Sequence, residues 1–263
     1  MLRTILFSLL FLLTAVLSLS AQDFPYSLNL EQEARILGFG GSMLAGGYYL
    51  EIQLEDLSPT ALEKGNVRDI FFLDRGAVRQ RSEAYRSLSD KLLRNSVLLP
   101  ATLLAARPVR KKPLVLGLMM AEAMILNEGA TKMLKVLVRR RRPLTYNTSF
   151  SPEERSDHDG RQSFPSGHTS NAAALAFFTA KVFHDLHPDS KLRPFVWGAA
   201  AAVPALTGYA RYRAGKHFPT DILAGYALGA AVGILVPQWH KTPEARGLVV
   251  SPTAEGIGLV YRW

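Results

Sequence analysis

The 263-residue chain contains no cysteine. That excludes disulfides, zinc–thiolate sites, iron–sulfur clusters, thiol nucleophiles and a lipid anchor on Cys. Apolar–polar alternation is nearly absent before Gly256–Trp263, so a sheet-based fold has little to be built from. No internal repeat and no low-complexity tract is present. Acidic residues are in deficit, 22 Asp+Glu against 31 Lys+Arg, which gives a net charge of +9 and favours anionic partners. Disorder is excluded by 48% hydrophobic and 20% charged residues.

What is present begins with Met1–Ala21. Arg3, an apolar stretch around Ile5–Leu13 and small residues at Ser18, Ser20 and Ala21 describe a secretory signal, the alternative being an uncleaved anchor. Export makes nucleic acid an unsuitable partner for the positive charge and points it to phosphate-bearing molecules or lipid headgroups. Residues 22–92 carry no assignable motif, although Arg35–Leu50 is apolar and Gly-rich and Ser82–Leu93 looks helical. From Ser96 the pattern predicts apolar helices over Ser96–Ala106, Pro113–Val138, Ser166–Phe183, Pro194–Tyr212 and Pro219–Val236, each starting near Pro, Ser or Asn. The expected organisation is a signal peptide (1–21), an N-terminal region (22–92), a helical core (93–240) and a C-terminal tail (241–263). The fold class is all-α, a helical bundle with a short β-like tail.

Apolar runs of roughly 11 to 20 residues are marginal for membrane spans and ordinary for a soluble bundle. If the five later helices cross, the basic links Arg107–Lys112 and Lys191–Arg193 both fall on the cytoplasmic side, as positive-inside bias prefers. Membrane embedding is therefore expected, with a soluble periplasmic protein as the alternative.

Three clusters sit at helix ends. In Lys135-Val-Leu-Val-Arg-Arg-Arg-Arg142-Pro143, Lys135 and Arg142 are two helical turns apart and share a face, and Pro143 should end the helix. Arg139, Arg140 and Arg141 read as a solvated or headgroup-touching helix end. In Phe164-Pro165-Ser166-Gly167-His168, Pro165 opens a helix and leaves the amides of Ser166, Gly167 and His168 for an anion. Ser166 lacks the Gly-x-Ser-x-Gly setting of a nucleophile elbow. In Arg211-Tyr-Arg-Ala-Gly-Lys-His217-Phe-Pro-Thr-Asp221, Pro219 starts a helix, and Asp221 can take a proton from one imidazole nitrogen of His217, freeing the other to attack. His184 and His187 have no evident third ligand and read as a solvated loop, as do His158 and His240; no metal site is expected.

Lys-x6-Arg-Pro, Pro-Ser-Gly-His and Arg-x5-His-x3-Asp in this order resemble the type-2 phosphatidic acid phosphatase and vanadium haloperoxidase superfamily, over about Ser96–Pro237. One departure is Ala210, where the family usually has Ser. The resemblance implies that Lys135, Arg142 and Arg211 hold the phosphoryl oxygens with Ser166 and Gly167. It implies that His217 attacks phosphorus with Asp221 orienting it, and that His168 protonates the leaving oxygen.

The implied protein is a phosphatase without metal or cofactor, acting on a lipid phosphate or pyrophosphate at the periplasmic side of the inner membrane. Alternatives are a soluble broad-specificity acid phosphatase acting on small phosphate esters, a vanadate-dependent haloperoxidase, or an inactive anionic-lipid-binding scaffold. Composition and spacing give no oligomeric state.

Overall fold

The computed structural model describes residues 24–63, 65–242, 248–253 and 256–261. The signal peptide expected over Met1–Ala21 lies outside them. The fold is all-α. Six helices of fourteen residues or more form the body: α1 Leu30–Glu51, α2 Glu83–Ser96, α3 Pro113–Val138, α4 Gly167–Leu186, α5 Arg193–Arg213 and α6 Pro219–Trp239. The tail pairs Leu248–Thr253 antiparallel with Gly256–Tyr261, a two-stranded hairpin rather than the single strand of the sequence pattern.

Helix starts follow the chemistry of their first residues. Asn29 caps α1 by accepting from the amides of Glu31 and Gln32, and Ser82 caps α2 through Tyr85. Proline occupies the first turn of α3, α5 and α6, where its missing N–H costs nothing. The helix expected over Ser96–Ala106 does not form as one element. Helix α2 already ends at Ser96, and Pro100 restarts the chain as a single turn, Leu99–Thr102, followed by a 3-10 turn at Leu103–Ala105. The apolar Arg35–Leu50 stretch is instead the body of α1, a 22-residue helix lying along α3.

Helix α4 is the central post, packed on α6, α5, α3 and α2 and buried from Ala172 to Phe183 without a break. Its contact with α6 is unusually close. A Cβ on Gly225, Gly229 or Gly233 would stand 2.4, 2.0 or 2.5 Å from the carbonyl oxygens of Ser166, Ser170 and Ala174. Small residues at every fourth position let two helix backbones touch, as in packed membrane helices. Gly229→Ala is therefore expected to destabilise the protein by about 1–3 kcal/mol. Gly117→Ala, which meets nothing within 4 Å and gains only helix propensity, serves as the control. Thermal melting in detergent checks the pair, and equal melting temperatures would contradict the close packing.

Among the described residues, two segments, Pro113–Tyr146 and Pro219–Trp239, are long and apolar enough to cross a membrane, yet only 44% and 28% of their most apolar windows are buried. Leu114, Leu137, Phe195, Leu206 and Leu223 are each more than half exposed.

Candidate active site

The site forms at one end of the bundle, where α3 and α5 finish and α4 and α6 begin. Helix α3 stops four residues earlier than the position of Pro143 suggests. Arg139 takes a left-handed conformation (φ 49°) and closes the helix on the Lys135 carbonyl. Pro143 holds Arg142 extended (φ −79°, ψ 156°), outside the helix. The shared helical face expected for Lys135 and Arg142 is thus replaced by a turn. The Arg142 amide donates to the Gly160 carbonyl (2.8 Å) and the Ser163 amide to the Arg140 carbonyl (2.9 Å), pinning this turn against residues 160–163. Lys135 and Arg142 are buried there. Lys135 Nζ donates to the Gln162 carbonyl at 2.5 Å, and Arg142 donates to the carbonyl (2.9 Å) and carboxylate (2.6 Å) of Asp159.

Gly167 and His168 open α4. The Ser166 amide is not available to an anion, because it donates to the Asp221 carbonyl at 3.0 Å, and the Ser166 hydroxyl pairs with Thr169 at 2.9 Å. The free amides are those of the helix start itself, Gly167 and His168. A Cβ on Gly167 would lie 3.8 Å from Lys135 Cε, so this turn faces the lysine.

Between α5 and α6 the chain must reverse within a few residues. Gly215 makes this possible with φ +70°, and any Cβ there would fall 2.2 Å from the Gln80 carbonyl. The turn carries Arg211, buried at the end of α5, next to His217, buried just before α6. His217 Nδ1 is 2.8 Å from the Ser163 carbonyl, while Asp221 Oδ2 is 3.8 Å away. A carbonyl can only accept, so Nδ1 carries the proton and Nε2 keeps its lone pair. The direct partner that sequence spacing gave to His217 is therefore a backbone oxygen, and Asp221 acts one step removed. It accepts from the Ser163 hydroxyl (2.6 Å) and the Phe218 amide (2.9 Å) and fixes the segment on which His217 rests. Burial, then the charges of Arg142, Lys135 and Arg211, and last His168, push the His217 pKa well below 6.5. All of these groups converge on one imidazole.

Arg140, expected as part of a solvated run, is built into the structure. Its guanidinium bonds Asp221 (2.5 Å), Thr220 (2.7 Å) and Asp74 (2.7 Å) and lies over the Phe218 ring at 4.4 Å. Asp74 also accepts from the Thr220 amide (3.1 Å) and hydroxyl (2.7 Å), capping α6 from far upstream. Both carboxylates are fully buried. Arg140→Gln leaves two buried carboxylates short of their cation and is expected to cost about 3–5 kcal/mol. Limited proteolysis and melting of the purified variant measure this, and a wild-type melting temperature would refute it.

The N-terminal region contributes again through α2. Asp90 Oδ1 lies 2.9 Å from His168 Nε2 and 3.7 Å from the Arg211 guanidinium, which also reaches Ser89 at 3.4 Å. Asp74, Ser89 and Asp90 carry no local signature, and nothing short of the fold connects them to the histidines. Ala210 is fully buried beside Arg211, so the hydroxyl usual in the resembling family would need an internal partner here. Asp159 is lowered below the ordinary carboxylate range: burial raises it, but Arg142, Lys135, Lys216 and Arg211 outweigh that.

The remaining histidines are not loop residues throughout. His187 and His240 are buried, and His184 is held by Arg193 and by Trp197 Nε1 (3.1 Å) at the end of α4. His158 stays exposed beside Asp157.

A family model described as the PAP2 superfamily matches residues 114–244, which contain all eight residues singled out above as phosphate-binding or catalytic. The chain belongs to the PAP2 superfamily. Among curated members, the lipid A 4'-phosphatase of Porphyromonas gingivalis is 28% identical over 148 residues, covering 55% of this chain and 59% of its own length. The phosphatidylglycerophosphatase B of Bacillus subtilis is 35% identical over 129 residues, covering 48% and 58%. The chain thus spans under two thirds of the curated PAP2 relatives it matches. A solved structure, the transmembrane PAP2-type phosphatidylglycerolphosphate phosphatase from Bacillus subtilis, aligns over 76% of this chain and 94% of its own, with 24% identity and a TM-score of 0.48.

Proposed function

We propose that this PAP2 protein is a phosphatase for lipid phosphates or pyrophosphates that works through a phosphohistidine at His217. The observation that carries the reading is the state of that imidazole: Nδ1 anchored on the Ser163 carbonyl, Nε2 with its lone pair, and three buried cations around it. The Nε2 lone pair forms the P–N bond as the P–O bond to the leaving group breaks. Lys135, Arg142 and Arg211, with the Gly167 and His168 amides, stabilise the charge on the equatorial oxygens. His168, as an imidazolium, gives its proton to the leaving oxygen; burial and then Arg211 lower its pKa to about 4, and Asp90 and the bound phosphate dianion act in the opposite direction. Water then attacks phosphorus, passing a proton to His168 as the P–N bond breaks and inorganic phosphate leaves.

Two features support a membrane setting with the site on the periplasmic side. The outward faces of α3 and α6 are apolar, as lipid contact requires. The basic links Arg107–Lys112 and Lys191–Arg193 precede α3 and α5, whose starts lie at the end opposite the site. Positive-inside bias then places those links in the cytoplasm and the site outside.

The deciding experiment is a phosphate-release panel in detergent micelles with polyprenyl pyrophosphate, phosphatidic acid, phosphatidylglycerol phosphate and a water-soluble ester, together with rapid acid or base quench on labelled substrate. Release from a lipid substrate and an acid-labile, base-stable phosphoenzyme lost in His217→Asn are expected. Release from none of the substrates, or turnover unaffected by that substitution, would overturn the proposal.

A further inference from the structure

A second cluster of chemically able side chains lies at the other end of the bundle. Helix α6 runs from Asp221 at the phosphate site to His240 just beyond its C-terminus. Nineteen residues at 1.5 Å each separate the two ends by about 28 Å. There His240 Nε2 stands 2.9 Å from Glu33 Oε2 on α1 and 3.0 Å from Glu122 Oε2 on α3. The three residues are 1%, 6% and 0% exposed. The three donor atoms lie within 4.8 Å of one another.

The two buried carboxylates and the imidazole at this end need a cation among them, either a proton or a metal ion. His240 Nδ1 donates to the Val236 carbonyl at 2.8 Å, so Nε2 either carries a second proton and donates it to Glu33 or, in the neutral ring, offers its lone pair to an ion held between the two carboxylates. Glu33 is held in place from behind, its Oε1 accepting from the Asn29 amide at 3.0 Å. Glu122 has no such support, and neither of its wholly buried oxygens accepts a hydrogen bond. Neighbouring lysines do not supply it: Lys181 and Lys241 both bond Asp185, at 2.5 and 2.8 Å. Packing of the N-terminal strap explains Tyr26 and Asp185, which share a 2.7 Å hydrogen bond, but it does not explain a second glutamate here.

We propose that Glu33, Glu122 and His240 bind a first-row divalent cation, Zn2+ by their donor set. One imidazole and two carboxylates suit a borderline ion and exactly balance its charge. In a tetrahedral site with bonds of about 2.0–2.1 Å, ligand atoms are about 3.3 Å apart, so the observed 2.9 and 3.0 Å need only a small expansion. A backbone acceptor on Nδ1 and an amide donor on Glu33 are the outer contacts that orient such ligands. A surface cavity of about 340 Å³ is lined by Gln32, Arg35, Ile36 and Trp239, which include the sequence neighbours of Glu33 and His240. The ion would fasten α1, α3 and the end of α6 to one another and take no part in chemistry 28 Å away.

A proton is the competing occupant. Burial lowers the His240 pKa, but Glu122, the Val236 carbonyl and Glu33 raise it to about 9, so an imidazolium can also sit between the carboxylates. The test uses full-length protein in detergent, stripped with a chelator and titrated with Zn2+. One bound equivalent and a rise in melting temperature of several degrees are expected, with affinity reduced at least about 100-fold in Glu122→Gln and His240→Asn. X-ray absorption of the unsubstituted Zn2+ complex should show one imidazole nitrogen among oxygen ligands, a readout that survives if the variants fail to fold. No stoichiometric binding, affinity unchanged in both variants, or a shell without imidazole would each overturn the site and leave a proton as its occupant.

Discussion

Replacing His217 by Asn is expected to lower phosphate release by about 10⁴-fold or more, because it removes the lone pair that forms the proposed covalent intermediate. The substitution removes little packing and leaves the cation cluster in place, so phosphate or vanadate should still bind. Retained binding with lost turnover separates a missing nucleophile from a collapsed site. The pH dependence follows from the lowered pKa of the same imidazole. A neutral lone pair persists below the ordinary imidazole range, so the acid limb of kcat/KM in the free enzyme should not sit near pH 6.5. The stability consequence has a definite sign. The unfolded chain protonates this histidine near pH 6.5 and the folded one resists, so stability falls as pH drops below 6.5. Melting curves from pH 7.5 to 5 should show that loss in the parent and a smaller one in His217→Asn. Identical slopes would mean that His217 does not carry the effect.

The second large effect concerns the leaving group. His168→Ala is expected to cost about 10²–10⁴-fold on lipid phosphates, whose leaving alkoxide needs a proton. A nitrophenyl phosphate, with a stable leaving phenolate, should lose far less. Asp90 faces His168 at 2.9 Å and acts through it as a positioning residue. Removing a nearby carboxylate lowers an imidazolium pKa by about one unit or more, and each unit depletes the acid form roughly tenfold at pH above it. Asp90→Asn should therefore show a basic limb displaced to lower pH and the same sensitivity to leaving group. A uniform loss on both esters, with the pH profile unmoved, would reduce Asp90 to a structural role.

Much of the site was legible in the sequence because its residues sit at helix ends, and helix ends announce themselves through Pro, Gly and capping residues. The apolar pattern and Pro113 give Pro113–Val138, and Pro219 the start of α6, whereas the face expected for Lys135 and Arg142 required α3 to run on to Pro143, which it does not. The motifs around Lys135, His168 and His217 fell inside the matched family segment. What stayed hidden depends on contacts between distant positions. Arg140 looks like one member of a basic run until Asp74 and Asp221 are brought to it. Asp90 is an ordinary helix carboxylate until α2 is laid against α4. The Ser163 carbonyl has no side-chain signature at all, and backbone acceptors never do. Ser96–Ala106 does not form one helix for a local reason: Pro100, which has no N–H to donate, restarts the chain as a single turn after α2 ends at Ser96.

The contact of α6 with α4 through Gly225, Gly229 and Gly233 bears on how a bulky lipid could enter. Two backbones in contact over eight residues have no slack for sliding, so His168 at the head of α4 and His217 at the head of α6 move as one body. Any opening that admits a headgroup must then come from the other side of His168, where α2 supplies a half-exposed Asp90 in a cavity of about 210 Å³ with Arg86, Lys91 and Arg94. On the proposed mechanism His217 and His168 would then keep their spacing through the cycle, and α2 would be the element whose displacement admits substrate.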